Sequence, residues 1–407
     1  MVIGAGIAGI SAALGLAERG IFVNLVDSDS AIGGRSRELS CKGLDKCVRC
    51  DVCLATDKLL EVGRSEMIRV LRNTRVKSVS GSPGNFRVTL ERSPSPVDEG
   101  SCNACGKCVE ICPANAISPP RSGIPLTYSI DPDACLWYRG DDCHLCEEAC
   151  PQGAIDLSRK GSTKRMQVGA IVVATGFTPF DPDLDPRYSH DLIPGVLSSL
   201  EAERQISIDG DLVPPEGTSL DRLAFVQCVG SRDLKHGVEY CSKVCCKYSM
   251  GIALLLRALH PELEITFFYM DWRPYDLKGE DLREWASRDQ GVRSIRSRPA
   301  EILPSETGKP VVRFTDAGES ISEEEFDMVL LSVGMAPPEG LEDLAERLGL
   351  RTTPQGYIET SVERPAMTSR PGIFASGCCT GPKDIEESAM EGNAAAGEAA
   401  SFLEGSP

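Results

Sequence analysis

A chain of 407 residues is long enough for two or three domains, and its 41% apolar and 25% charged residues are those of an ordinary globular protein. The net charge of −17 argues against nucleic acid and anionic membranes as partners. Eighteen cysteines come with no signal peptide and no apolar run of the roughly 18 residues that a membrane span needs, so a cytoplasmic setting is expected, with thiols that hold metal or do redox work. Met1 abuts the first predicted strand. That leaves no room for a targeting segment, although the strand is short enough for the true start to lie upstream.

Residues 2–27 read as strand, glycine turn, helix, strand and acid, which is the dinucleotide-binding fingerprint in full context. In Gly4-Ala-Gly6-Ile7-Ala8-Gly9, Gly4 permits the turn and Gly6 lets backbone approach a pyrophosphate seated at the helix N-terminus. Gly9 allows close helix–sheet packing. Asp27, followed by Ser28 about 20 residues beyond the turn, is placed to accept hydrogen bonds from a ribose. Gly33-Gly34-Arg35 follows closely; such a pair in two-dinucleotide flavoproteins lets backbone pass under the cofactor and favours FAD over NAD. Ala170–Gly176, with Thr175-Gly176, resembles the strand on which such chains return to the FAD domain. Gly372–Gly377 resembles their late flavin segment, with Cys378 standing where an acid usually binds a ribityl hydroxyl.

Cys41, Cys47, Cys50 and Cys53 lie within 13 residues. Their spacing suits a [4Fe–4S] cluster, and a redox dithiol after the glycine pair is the rival reading. Residues 54–72 read as helix and 74–91 as two strands joined at Ser82-Pro83-Gly84. A Ser/Pro linker at 93–100 opens an insert that closes near Gly161. Within it, Cys102, Cys105, Cys108 and Cys112-Pro113 form the two-cluster ferredoxin signature, in which the fourth cysteine serves the other cluster. Cys-Pro-Ala-Asn-Ala-Ile at 112–117 recurs as Cys-Pro-Gln-Gly-Ala-Ile at 150–155. Two related halves then pair Cys102, Cys105 and Cys108 with Cys150, and Cys135, Cys143 and Cys146 with Cys112. Seven residues separate Cys135 from Cys143 where two are usual, a gap a longer loop can absorb. Zinc is the alternative, but zinc sites favour two separated C-x2-C pairs.

From about 220 a second α/β unit is expected, with strands at 223–227 and 264–269 and a helix at 249–259. The second nucleotide turn is missing. In its place stand Cys228, Cys241, Cys245 and Cys246, either as ligands of a fourth cluster or as a vicinal thiol pair with two buried small residues. Residues 276–326 read as short strands and turns, and Phe326–Gly334 as the return to the FAD domain. An Ala/Gly-rich helix over 385–403 ends the pattern. Its N-terminus, after Lys383-Asp384-Ile385, could face the flavin pyrimidine edge.

Together these stretches resemble the flavin-bearing A-type component of heterodisulfide reductase. The matching residues are Gly4–Gly9, Gly33–Gly34, Cys47–Cys53 with Leu60–Arg64, the insert, Thr175–Phe177, Gln227–Asp233, Tyr240-Cys241 with Cys245-Cys246, and Gly377-Cys378 with Gly381–Ile385. The resemblance implies one FAD in a two-dinucleotide, thioredoxin/glutathione reductase-like α/β fold. It also implies clusters in both unusual cysteine groups, four in all, and it explains Cys378. Sixteen of the 18 cysteines are then used, leaving Cys378 and Cys379, read as packing. It implies partners too: B- and C-type subunits, or hydrogenase-, ferredoxin- or dehydrogenase-type proteins, and a dimer of two such chains within the complex. Relatives act in anaerobic complexes, some by flavin-based electron bifurcation, others beside quinone-linked sulfur metabolism or acyl-CoA ring reduction. No catalytic residue beyond the flavin is expected; Arg35, Lys247 and Lys383 are candidates for tuning it. Two other functions compete with that of a redox subunit. One is a stand-alone NAD(P)H-dependent disulfide reductase, and the other is a relay or scaffold protein whose flavin does not turn over.

Overall fold

The computed structural model describes residues 1–43, 47–118 and 127–405. The expected cluster stretch 41–53 and the insert therefore each include a short segment outside the described residues. Two parallel five-stranded sheets carry the chain. The first has the strand order Ile373–Ala375, Ile171–Val173, Val2–Ile3, Val23–Val26, Ile68–Leu71. Its apolar strands are covered on one face by the helices Ile7–Ala17 and Ile385–Gly405. These two approach closely because their facing residues are small: a Cβ on Gly392 would lie 2.2 Å from the Ala8 carbonyl oxygen. That contact is why the last helix is rich in Ala and Gly.

The helix expected over 54–72 is shorter, Val52–Arg64, and Ile68–Leu71 is the edge strand of the first sheet. The β-branched and apolar residues there suit a strand better than another helical turn. Thr74–Ser82 and Asn85–Arg92 form the expected hairpin, joined by Ser162–Val168 as a third strand. The insert hangs between these last two strands, so its ends stand side by side on one ribbon.

The second sheet has the order Val196–Ser198, Met328–Val333, Arg222–Val229, Glu264–Phe268, Val292–Ile295. Here two expectations need correction. Met328–Val333 belongs to this sheet, paired on both edges and wholly buried, and is not a strand of the FAD unit. Residues 277–288, expected as strand and turn, form a helix capped by the Asp276 side chain, which accepts from the Gly279 N–H at 2.7 Å. The helix expected from Ser249 begins at Cys245, so the vicinal cysteines open its first turn. Among the described residues no helix is long and apolar enough to cross a membrane.

Candidate flavin cradle and cysteine sites

Glycine geometry builds a cradle between the two sheets. Gly4 has φ +99°, and a Cβ there would stand 2.2 Å from the Ala174 carbonyl oxygen. Gly34 has φ +57°, and its Cβ would press on the Gly6 Cα at 2.8 Å, so the two glycine segments cross in contact. The Ile7–Ala17 helix has Gly6 as its N-cap with no side-chain cap, leaving the first-turn amides to the adjoining cavity. That cavity is about 810 Å³. Gly4, Gly6, Ile7, Ala8, Asp27 and Ser28 line it, as do Gly34, Arg35, Thr175 and Gly176, and Cys378, Lys383, Asp384 and Ile385. Of the expected contact residues, Gly9, Gly33 and Gly377 stand behind it. Gly9 packs under the Gly4 carbonyl, the Gly33 N–H donates to the Ala5 carbonyl, and Gly377 abuts Ala8.

These residues fit a flavin dinucleotide. Thr175 Oγ1 is buried at the cavity without a hydrogen-bond partner among the described residues, as a group awaiting a ligand would be. Asp27 Oδ1 accepts from the Asp29 N–H at 2.8 Å and its other oxygen from the Ala5 N–H. Burial nevertheless pushes the Asp27 carboxyl up to about 6. The folded value lies above the ordinary 3.8, so the flavin-free fold loses stability as pH rises from the lower value to the higher. Ribose hydroxyls donate best to the charged form. FAD affinity of the flavin-free protein should therefore weaken as pH falls through about 6. Asp27→Asn should remove that dependence in a fluorescence titration, and an unchanged pH profile would contradict the assignment.

The three tuning candidates are all engaged. Lys247 Nζ lies 2.8 Å from Asp276 and 2.6 Å from Asp384. Lys383 Nζ donates to Thr380 Oγ1 at 2.7 Å, with Glu391 at 3.4 Å, and Arg35 pairs with Glu38 at 3.3 Å. The N-terminus of the Ile385–Gly405 helix does reach the cavity, but Asp384 accepts from the Glu387 N–H at 2.8 Å, so its own cap offsets part of the positive end. Sequence reasoning missed a buried pair on the cavity wall, Lys42 and Glu203, whose carboxylate also takes the Ser40 N–H and hydroxyl at 2.9 Å. The partners are far apart in the chain, so no local pattern announced them.

In the insert, the internal repeat becomes matched hydrogen bonding. The Ala116 N–H points to Cys112 Sγ at 3.4 Å and the Ala154 N–H to Cys150 Sγ at 3.3 Å. The Cys102 N–H donates to the Asp98 carbonyl at 2.9 Å, and the Cys135 N–H to the Asp131 carbonyl at 3.0 Å. One small cavity is lined by Cys102, Cys105, Cys108 and Cys150, the other by Cys112, Cys135, Cys143 and Cys146. Each fourth cysteine thus crosses to the opposite half. The extra residues after Cys135 turn back on themselves, with the Asp141 N–H on the Leu136 carbonyl at 3.0 Å.

Of the 41–53 group, Cys50 lines the large cavity while Cys41, Cys47 and Cys53 are exposed. Asp51 ties this loop to Lys278 at 3.0 Å, and Lys278 in turn holds Glu386 at 2.5 Å. In the second unit, Cys228 sits near the end of its strand at φ +63°. Gly230 follows, and a Cβ there would strike the Phe180 ring, so that ring covers the turn where a nucleotide phosphate would need backbone. The chain runs on through 231–244 before the helix begins at Cys245. Cys228, Cys241, Cys245 and Cys246 come together, near enough for each of the other three to act on Cys245. Burial, then those three thiols, pushes Cys245 well above the ordinary range, and burial takes Cys246 to about 11. A common device recurs at three of the cysteine sets. Arg49, Ala104 and Lys243 stand two residues after Cys47, Cys102 and Cys241, all at positive φ. The Arg49 and Lys243 N–H groups each reach the preceding sulfur at 3.4 Å. Among the described residues, no three thiols come within 4.8 Å of one another. A single zinc ion with Zn–S bonds of about 2.3 Å would require that.

The 4Fe-4S dicluster domain matches residues 101–154, and the NAD(P)-binding Rossmann-like domain matches residues 2–56. The A-type component of the H2:CoB-CoM heterodisulfide,ferredoxin reductase of Methanothermobacter marburgensis is 35% identical over 426 residues, covering 98% of this chain and 63% of that protein. An A-type iron-sulfur component of the CoB–CoM heterodisulfide reductase of Methanopyrus kandleri is 37% identical over 425 residues, covering 99% and 64%. The chain thus spans less than two thirds of these relatives' length. Among solved structures, T. acidophilum thioredoxin reductase superposes with a TM-score of 0.56 at 16% identity, over 98% of this chain and 96% of that one. Lactococcus lactis thioredoxin reductase gives 0.55 at 16% identity, over 99% and 98%. These show the fold, a two-dinucleotide α/β flavoprotein carrying an inserted ferredoxin domain. By sequence over nearly its whole length, and by this fold, the chain is an HdrA-like iron–sulfur flavoprotein, similar to the A-type components of heterodisulfide reductases.

Proposed function

We propose that this chain is an oxidoreductase subunit that moves electrons between one FAD and four [4Fe–4S] clusters on behalf of partner proteins. The observation that carries the reading is the exchanged turn of the second unit. The backbone that would cradle a pyridine nucleotide's phosphates is covered by Phe180, and four cysteines of the strand end, the 231–244 loop and the helix start gather in its place. When bound, FAD takes electrons in pairs and each cluster takes one.

The chain's own residues would divide the work as follows. Gly4, Gly6 and the first-turn amides receive the pyrophosphate, and Asp27 the ribose. Gly34 would leave its backbone open to the cofactor, and Thr175 would supply a hydrogen bond. The cysteine sets 41/47/50/53, 102/105/108/150, 112/135/143/146 and 228/241/245/246 hold the clusters. Cys50 on the cavity wall would place the first of these sets beside the flavin site. Lys247, shared between carboxylates of two elements at the cavity, holds positive charge there without offering it fully to a flavin. Relatives named for hydrogen, a heterodisulfide and ferredoxin together support electron-pair splitting between two acceptors as this chain's task. We further propose B- and C-type, hydrogenase-, ferredoxin- or dehydrogenase-type partners and a pair of such chains within the complex; the relatives are themselves named as one subunit of a larger reductase. A rival disulfide reductase working through Cys245 and Cys246 is disfavoured by the burial that raises both thiols, which makes them poor nucleophiles near neutral pH. An anaerobic preparation should contain one flavin and four cubanes' worth of iron per chain. Iron for the insert alone would overturn the reading.

A further inference from the structure

The Arg222–Val229 strand alternates cleanly. Leu223 and Phe225 pack with Cys246 and Met250, while Ala224 and Val226 pack on the other face with Phe268. The alternation puts Gln227 on the Cys246 side, one residue before Cys228, where the positive φ breaks the pattern. Gln227 is 3% exposed. Neither its Nε2 nor its Oε1 has a hydrogen-bond partner among the described residues. A primary amide left bare in a core is costly, and nearly all such groups in folded proteins find a partner. Nothing in the strand calls for a polar residue here: its neighbours on the same face are Leu and Phe, and a leucine would fill the place.

From this we infer that Gln227 is a positioning residue for the cluster of the second unit, its Nε2 donating a hydrogen bond to a sulfur of the group held by Cys228, Cys241, Cys245 and Cys246. The inference rests on the four-cluster reading above. Cluster and thiolate sulfurs accept and do not donate, so the amide is the matching chemistry. An N–H directed at sulfur stabilises the more negative, reduced form and raises that cluster's potential. The Lys243 N–H on Cys241 Sγ acts on the same set from the loop side. Gln227 acts from the sheet side, at the irregularity between Val226 and Val229 where the strand leaves its regular register.

The test compares full-length, anaerobically prepared protein with Gln227→Leu and Gln227→Glu by EPR-monitored redox titration, iron analysis and thermal melting. The signal belonging to this cluster is the one lost in Cys245→Ala. In both Gln227 variants that signal alone should move to a more negative potential, the others staying in place, with no gain in melting temperature for Gln227→Leu. An unchanged potential, together with a higher melting temperature for Gln227→Leu, would show that the amide is bare in the loaded protein and would overturn the inference. If Gln227→Leu does not fold, Gln227→Glu decides on the potential alone. A Cys245→Ala protein with full iron and an unaltered spectrum would sink the cluster reading itself, whatever the Gln227 variants do.

Discussion

Gly34→Val should yield a folded, iron-containing protein that has lost its flavin. Gly34 stands at φ +57°, where a β-branched side chain costs at least the roughly 1–2 kcal/mol of the left-handed region. Its Cβ would also fall 2.8 Å from the Gly6 Cα, and neither atom is the far end of a flexible side chain that could swing aside. Relief has to come from parting the 33–35 segment from the first glycine turn, the two backbones between which the dinucleotide passes. The insert has its own core and cysteine sets and hangs from a different ribbon. Flavin affinity should fall by about 100-fold or more, because two independent penalties of this size add. The flavin-to-iron ratio after gel filtration reads the result, and a variant that keeps wild-type flavin would refute the cradle.

Cys245→Ala should remove about a quarter of the iron, one cubane of four, and leave the flavin in place. The side chain is buried at the start of a helix, so its thiol is expensive to charge without a metal. Iron displaces the proton and settles that cost, which makes the site all-or-none: three remaining thiols in a dry pocket are a poor cluster site. Stability should fall as well, because the loop 231–244 has little core of its own. Of it, only Val244 joins an apolar cluster, with Met335 and Cys378. A variant with unchanged iron whose two neighbouring thiols become reactive toward an alkylating agent would instead favour a vicinal dithiol.

How much of this was legible in the residues depends on whether the pattern was local. The fingerprint 2–27 and the ferredoxin repeat are self-contained, because glycines and cysteines declare their positions by spacing, and the structure brings together the residues that spacing grouped. Met328–Val333 was misassigned because Val-Leu-Leu-Ser-Val-Gly and Ile-Val-Val-Ala-Thr-Gly are equivalent strand-to-glycine patterns. Composition cannot say which of two parallel sheets such a strand joins. The Leu277–Arg288 helix was hidden by its polarity: among its residues only Gly279 and Ala286 are buried, and Leu277 is largely exposed. Glu203 gave no sign because a buried carboxylate is understood only once Lys42 is seen beside it.

The most direct measurement is to add NADPH, then NADH, to the anaerobic, iron-replete protein and follow the flavin and cluster bands, with a reduced viologen as the one-electron control. If metal centres are the sole route for reducing power, neither nucleotide bleaches the protein and the viologen does. Rapid bleaching by either nucleotide would contradict the account.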